Sequence, residues 1–102
     1  MRQETRIEFL EQRKLALESD IARVETRINT LTSTSLSGLD ISAVRAKDNE
    51  AQQCLAAIKR IEMKLEPFIE KQGYVAQLNT ARKNVNDWLK ENKILIHIAR
   101  GE

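Results

Sequence analysis

A run of apolar residues over the first third of the chain constrains the fold more than any other feature. Ile7, Leu10, Leu17, Ile21, Val24, Ile28 and Leu31 follow one another at spacings of three, four or seven, with Lys14 as the one break. Such spacing keeps a single face of an α-helix apolar and is the mark of a heptad. With Ile7 at position a, the a positions are Ile7, Lys14, Ile21 and Ile28. The d positions are then Gln3, Leu10, Leu17, Val24 and Leu31. β-branched residues at a with leucine at d suit two parallel strands, and a lone lysine at a can snorkel out of a two-stranded seam.

The flanking charges give an orientation. Position e holds Glu4, Glu11, Glu18 and Glu25, and position g holds Arg6, Arg13, Asp20 and Arg27. In a parallel homodimer Arg6 meets Glu11 and Arg13 meets Glu18, against one repulsive pair, Asp20 with Glu25. An antiparallel homodimer sets mostly like charges together. Each exposed pair contributes only about 0.3–0.5 kcal/mol, so the pattern bears on orientation more than on affinity. The apolar arc is also broader than an a/d seam, since Phe9, Leu15, Ala16 and Ala22 adjoin it. A broad arc equally suits a helix packed within its own chain. The self-association seam is therefore read as Ile7, Leu10, Lys14, Leu17, Ile21, Val24, Ile28 and Leu31, and packing within the chain and on a second copy can coexist.

The expected organisation is all-α. Two to three long helices form a helical hairpin or three-helix bundle in one domain over residues 1–102, with a coiled-coil first helix and scope for a homodimer. Helix 1 is expected over about 3–32, a Ser/Thr/Gly loop over about 33–39, helix 2 over about 40–66, helix 3 over about 67–92 and an apolar tail over about 93–102. Asp40, or Ser37 with Asp40 three residues on, supplies the cap of helix 2. Its apolar stripe is Ile41, Val44, Ala51, Cys54, Leu55, Ile58, Ile61, Leu65 and Phe68. Pro67 lacks the amide that the helical ladder needs and, with Gly73, calls for a break or bend near 66–73. Helix 3 carries Phe68, Ile69, Val75, Leu78, Ala81, Val85, Trp88 and Leu89 at helical spacing.

The segment Lys93-Ile94-Leu95-Ile96-His97-Ile98-Ala99-Arg100 is too apolar to be a solvated terminus. It either continues the helix and ends at Gly101, or alternates Ile94, Ile96 and Ile98 as a strand able to join a partner's sheet edge. In either form it needs cover. Trp88, the sole tryptophan, is read as a core residue with an interface anchor as the alternative; Trp88, Ile94, Leu95, Ile96 and Ile98 are the candidate partner-binding residues, because a few buried apolar anchors dominate most interfaces.

Chemistry is conspicuous by its lack of residues. The single histidine, His97, and single cysteine, Cys54, have no acidic partner motif or metal-ligand spacing, and the three glycines are isolated. Catalysis, cofactors and a metal are not expected. The 17 basic and 15 acidic side chains leave a net charge of +2, without the dense basic stripe of a dedicated nucleic-acid domain. Arg82, Lys83, Lys90, Lys93 and Arg100 are the candidate phosphate contacts should the chain associate with nucleic acid as a dimer. No apolar run approaches the ~20 residues that cross a bilayer, and no apolar signal core is legible, so a cytoplasmic protein without membrane contact is expected. The leading expectation is a small helical adaptor, inhibitor or assembly factor binding a protein partner. Nucleic-acid association and a self-assembling structural or secretion-type subunit are the alternatives.

Overall fold

The computed structural model describes residues 2–68 and 70–101, with side chains from Ile7 onward. The expectations for the side chains of Gln3, Glu4 and Arg6, and for Ile69, lie outside the described residues. The fold is all-α: α1 Arg2–Thr32, α2 Ile41–Leu65, α3 Gln72–Glu91 and α4 Lys93–Arg100, with no strand among the described residues. Four helices thus replace the two to three expected, and the tail is a helix of its own.

The helix ends follow from local chemistry. α1 closes where Ser33 Oγ donates to the Asn29 carbonyl (2.6 Å) and Thr34 Oγ1 to that of Thr30 (2.9 Å), satisfying carbonyls the helix leaves open. Gly38 then takes φ +82°, a region that side chains rarely enter. Leu36, in this otherwise hydroxyl-rich loop, is buried and belongs to the core. Asp40 caps α2, its Oδ1 accepting from the Ala43 amide at 2.8 Å.

The third helix begins at Gln72, five residues later than expected. Pro67 lies in a turn in which the Phe68 amide donates to the Leu65 carbonyl, so it is neither the first helical residue nor a kink. The separation of α3 from α4 rests on Asn92. Its backbone amide (3.1 Å) and its side-chain amide (2.8 Å) both donate to the Trp88 carbonyl. A side chain competing in this way favours a helix end over a helix interior. The chain turns at φ −107°, ψ 14°, and the helix restarts as the Ile96 amide donates to the Asn92 carbonyl. Gly101 ends α4 in the left-handed region, as its position after the apolar stripe suggested.

α1, α2 and α3 pack on one another, and α4 lies against α2 and α3. The ion pairs give the directions. Asp20 meets Lys64 while Arg27 meets Glu50, so α2 runs antiparallel to α1. The core is one cluster built from Leu17, Ile21, Val24, Ile28 and Leu31 of α1, Ala51, Cys54, Ile58 and Leu65 of α2, Leu78, Val85 and Trp88 of α3, and Ile96 and Ala99 of α4. Within this cluster the heptad stripe meets two helices of its own chain, which is why the arc is wider than a coiled-coil seam. Ile41, read as the start of the α2 stripe, is instead 52% exposed.

Candidate functional site

The bundle does not support α1 along its length. Every described side chain from Ile7 to Ala16 is exposed, and burial begins at Leu17. Residues 2–16 therefore run for roughly 22 Å beyond the buried core at 1.5 Å per residue, with Ile7 to Lys14 alongside the α2–α3 turn. The molecule is correspondingly elongated, 60 × 21 × 20 Å. Ile7 (55% exposed) and Leu10 (43%) continue the a/d stripe out of the core and face solvent.

Below this projection lies a groove of about 310 Å³, in which Ile7, Leu10 and Lys14 form one wall and Pro67, Phe68 and Tyr74 the other. Glu11 and Glu70 stand at its edge. The Tyr74 hydroxyl donates to Glu18 Oε1 at 2.6 Å, fixing the start of α3 to α1 just inside the groove. The carboxylate beside the phenol pushes its pKa up to about 12. On the other flank Arg13 lies 5.7 Å above the Phe9 ring, a cation–π contact that covers part of an exposed aromatic.

The heptad seam is thus divided. Ile7, Leu10 and Lys14 are open, whereas Leu17, Ile21, Val24, Ile28 and Leu31 are covered by α2 and α3. The C-terminal candidates divide similarly. Trp88 and Ile96 are 4% and 2% exposed, sealed in the chain's own core, while Ile94 (71%), Ile98 (58%) and Leu95 (39%) face outward. The alternation of a strand would have put all three isoleucines on one side; helical spacing turns Ile96 inward with Ala99. The Trp88 indole N–H has no hydrogen-bond partner among the described residues.

Of the five candidate phosphate contacts, three are engaged by carboxylates. Arg82 pairs with Glu62, Lys83 with Asp87 at 3.0 Å, and Arg100 with Asp48. Lys90 and Lys93 are exposed. Asp48 is a buried carboxylate that the sequence pattern did not single out, and the hydrogen bond from Arg100 holds its pKa below the ordinary value. Arg45 adds a hydrogen bond from its Nε to the Ala99 carbonyl, so two arginines fasten α4 to α2. An aspartate at a stripe position of α2 and an arginine in the last turn of α4 were visible in the sequence. Their pairing across 52 residues was not.

Among the described residues no group of three or more His, Cys, Asp or Glu is arranged to hold a metal ion. Cys54 is buried, and desolvation raises its thiol pKa, the opposite of what a reactive thiolate requires. No described helix is long and apolar enough to cross a membrane. The fold and its surfaces define an all-helical bundle that presents half a helix beyond its own core. Comparison of the chain with protein-family models, curated proteins and solved structures returns no match.

Proposed function

We propose that the protein is a non-enzymatic interaction module, a cytoplasmic helical adaptor, inhibitor or assembly factor that docks a helix of a different polypeptide on the projecting half of α1. The single observation behind this reading is that the heptad stripe leaves the core at Leu17 with Leu10 and Ile7 still apolar and exposed. A partner helix lying on Ile7 and Leu10, with its end against Phe68 and Pro67, would complete the seam in the coiled-coil manner.

A second copy of this chain fits that seam less well. A parallel copy would run its α1 into the space that α2 and α3 occupy beside Leu17–Leu31. An antiparallel copy avoids that collision but sets glutamates at e against glutamates and arginines at g against arginines, which is unfavourable at each pair. The charge pattern instead suits a foreign amphipathic helix whose basic edge meets Glu11 and Glu70 and whose acidic edge meets Arg13.

A photo-crosslinking residue placed at Lys14, which lines the groove at a seam position, tests the reading in the native cell, with a second at Lys83 as control. The expected adduct forms from Lys14 alone, maps to a helical segment of another polypeptide, and disappears when Ile7 and Leu10 are both changed to Asp. Adducts of the chain only with itself, or adducts indifferent to the double change, would overturn it.

A further inference from the structure

The second surface with chemical content is the crevice between α1 and α2 on the flank where their ion pairs form. Arg23, Arg27, Arg60 and Lys64 line one groove of about 200 Å³, and Asp20 is the only acidic residue on its lining. Arg23 and Arg27 lie one turn apart on α1, and Arg60 and Lys64 one turn apart on α2, about 6 Å of rise in each case. The result is a two-by-two frame of cations above a floor that includes Ala57, whose small side chain leaves the space open.

Among the described residues two carboxylates answer three of the four cations, and the frame keeps a net positive charge. Asp20 accepts from Lys64 at 3.3 Å and lies 3.7 Å from Arg23, so one carboxylate is divided between two cations. Glu50 binds Arg27 at 2.8 Å and closes the far end. Arg60 has no ion pair among the described residues and, like Arg23, is exposed. The crevice continues past Lys64 into a shallow groove reached by Arg13. Arg13 to Arg27 on α1 spans roughly 21 Å.

We infer that this strip is a track for the backbone of single-stranded nucleic acid, held by its phosphates. Guanidinium groups bind phosphate oxygens in a forked geometry, and successive arginines along a groove follow a chain of phosphates. No aromatic side chain lines the groove, so no base is stacked or read there, and the binding has no sequence preference. A crevice between two adjacent helices admits one backbone, which is why a single strand is the occupant assigned. The assignment is independent of Ile7 and Leu10 and of the C-terminal lysines, and shares only Arg13 with the α1 projection.

Fluorescence anisotropy of a labelled mixed-sequence single strand of about 20 nucleotides, titrated with the full chain over a series of salt concentrations, tests it. Removing two phosphate contacts with Arg23→Ala and Arg60→Ala makes the slope of log K against log salt shallower by about 1.4, at about 0.7 per contact for single strands. The affinity at low salt falls tenfold or more. The pair Lys59→Ala and Lys71→Ala removes the same net charge outside the groove and leaves affinity within about twofold, and circular dichroism establishes that both variants are folded. No binding by the unmodified chain at low salt overturns the inference, as do equal losses in the two double variants. Tighter binding of the duplex of the same sequence overturns the single-strand assignment.

Discussion

Arg100 holds Asp48 by two parallel hydrogen bonds, from Nε to Oδ2 and from Nη2 to Oδ1, each 2.7 Å long. The Asp48 side chain is 9% exposed and that of Arg100 37%, so the pair sits at the edge of the core and joins the last turn of α4 to the first half of α2. Removing the arginine leaves the carboxylate with the Gln52 amide, 3.5 Å away. Arg100→Ala is expected to cost about 1–3 kcal/mol, discounted from a fully buried pair because water reaches the guanidinium. For a chain of this size the melting temperature should fall by roughly 4–8 °C per kcal/mol, measured by circular dichroism.

The same pair sets an acid dependence. The folded-state pKa of Asp48 lies below its ordinary value of 3.8, first through the Arg100 hydrogen bond. A depressed carboxylate contributes stability that is complete above the unfolded pKa and is lost as pH falls through the folded one. The stability gap between the unmodified chain and Arg100→Ala should therefore be widest above pH 3.8 and close progressively below it. Urea unfolding in steps from neutral to strongly acidic pH checks this, and a gap that stays constant through the acid range would remove Asp48 as its source.

Tyr74 gives a dependence of opposite sign. Its hydrogen bond to Glu18 favours the neutral phenol and moves its pKa from 10 to about 12. The contribution to stability is complete below pH 10 and lost as pH rises toward 12. As the chain has one tyrosine, tyrosinate absorbance reports this group alone. Glu18→Gln should bring the midpoint back toward 10.

Along α1 the cost of substitution should change abruptly within one heptad. Leu17 is 3% exposed and Leu10 43%. Leu17→Ala is expected to cost about 2–4 kcal/mol through lost burial and the cavity left behind. The double change of Ile7 and Leu10 to Asp should alter unfolding by less than about 1 kcal/mol, as exposed sites do. Denaturant titrations of the two variants provide the comparison.

The C-terminal isoleucines make the same contrast at the other end. Ile96→Ala, at a site 2% exposed, should cost about 2–4 kcal/mol, whereas Ile94→Ala and Ile98→Ala should each stay within about 0.5 kcal/mol. Comparable losses at all three positions would mean that α4 does not sit on α2 as described.

Helix content, the turn at Gly38, the Asp40 cap and the stop at Gly101 were legible because each depends on residues within one or two turns. A break near 66–73 was legible from Pro67 and Gly73, but the third helix was expected from about 67, because local propensity leaves open whether Pro67 opens a helix or lies in a turn. The break at Asn92 was missed because an asparagine is tolerated within a helix until its side chain takes a backbone carbonyl. Trp88 admits both a core and an anchor reading, and Ile96 reads as a partner anchor, for a related reason. Apolar spacing reports that a face is covered, and does not report by what.

The sequence by itself determined which residues form helices and which face of each is apolar, since both follow from a periodicity of 3.6 residues and from local capping. Only the tertiary structure decided how far that face is used: α2 and α3 cover α1 from Leu17 to Leu31 and end before Leu10. It also decided that Arg100 meets Asp48, and that Arg23 and Arg60 line one groove. These relationships join residues dozens of positions apart, and they depend on helix lengths and crossing geometry, which are set when the whole core packs at once.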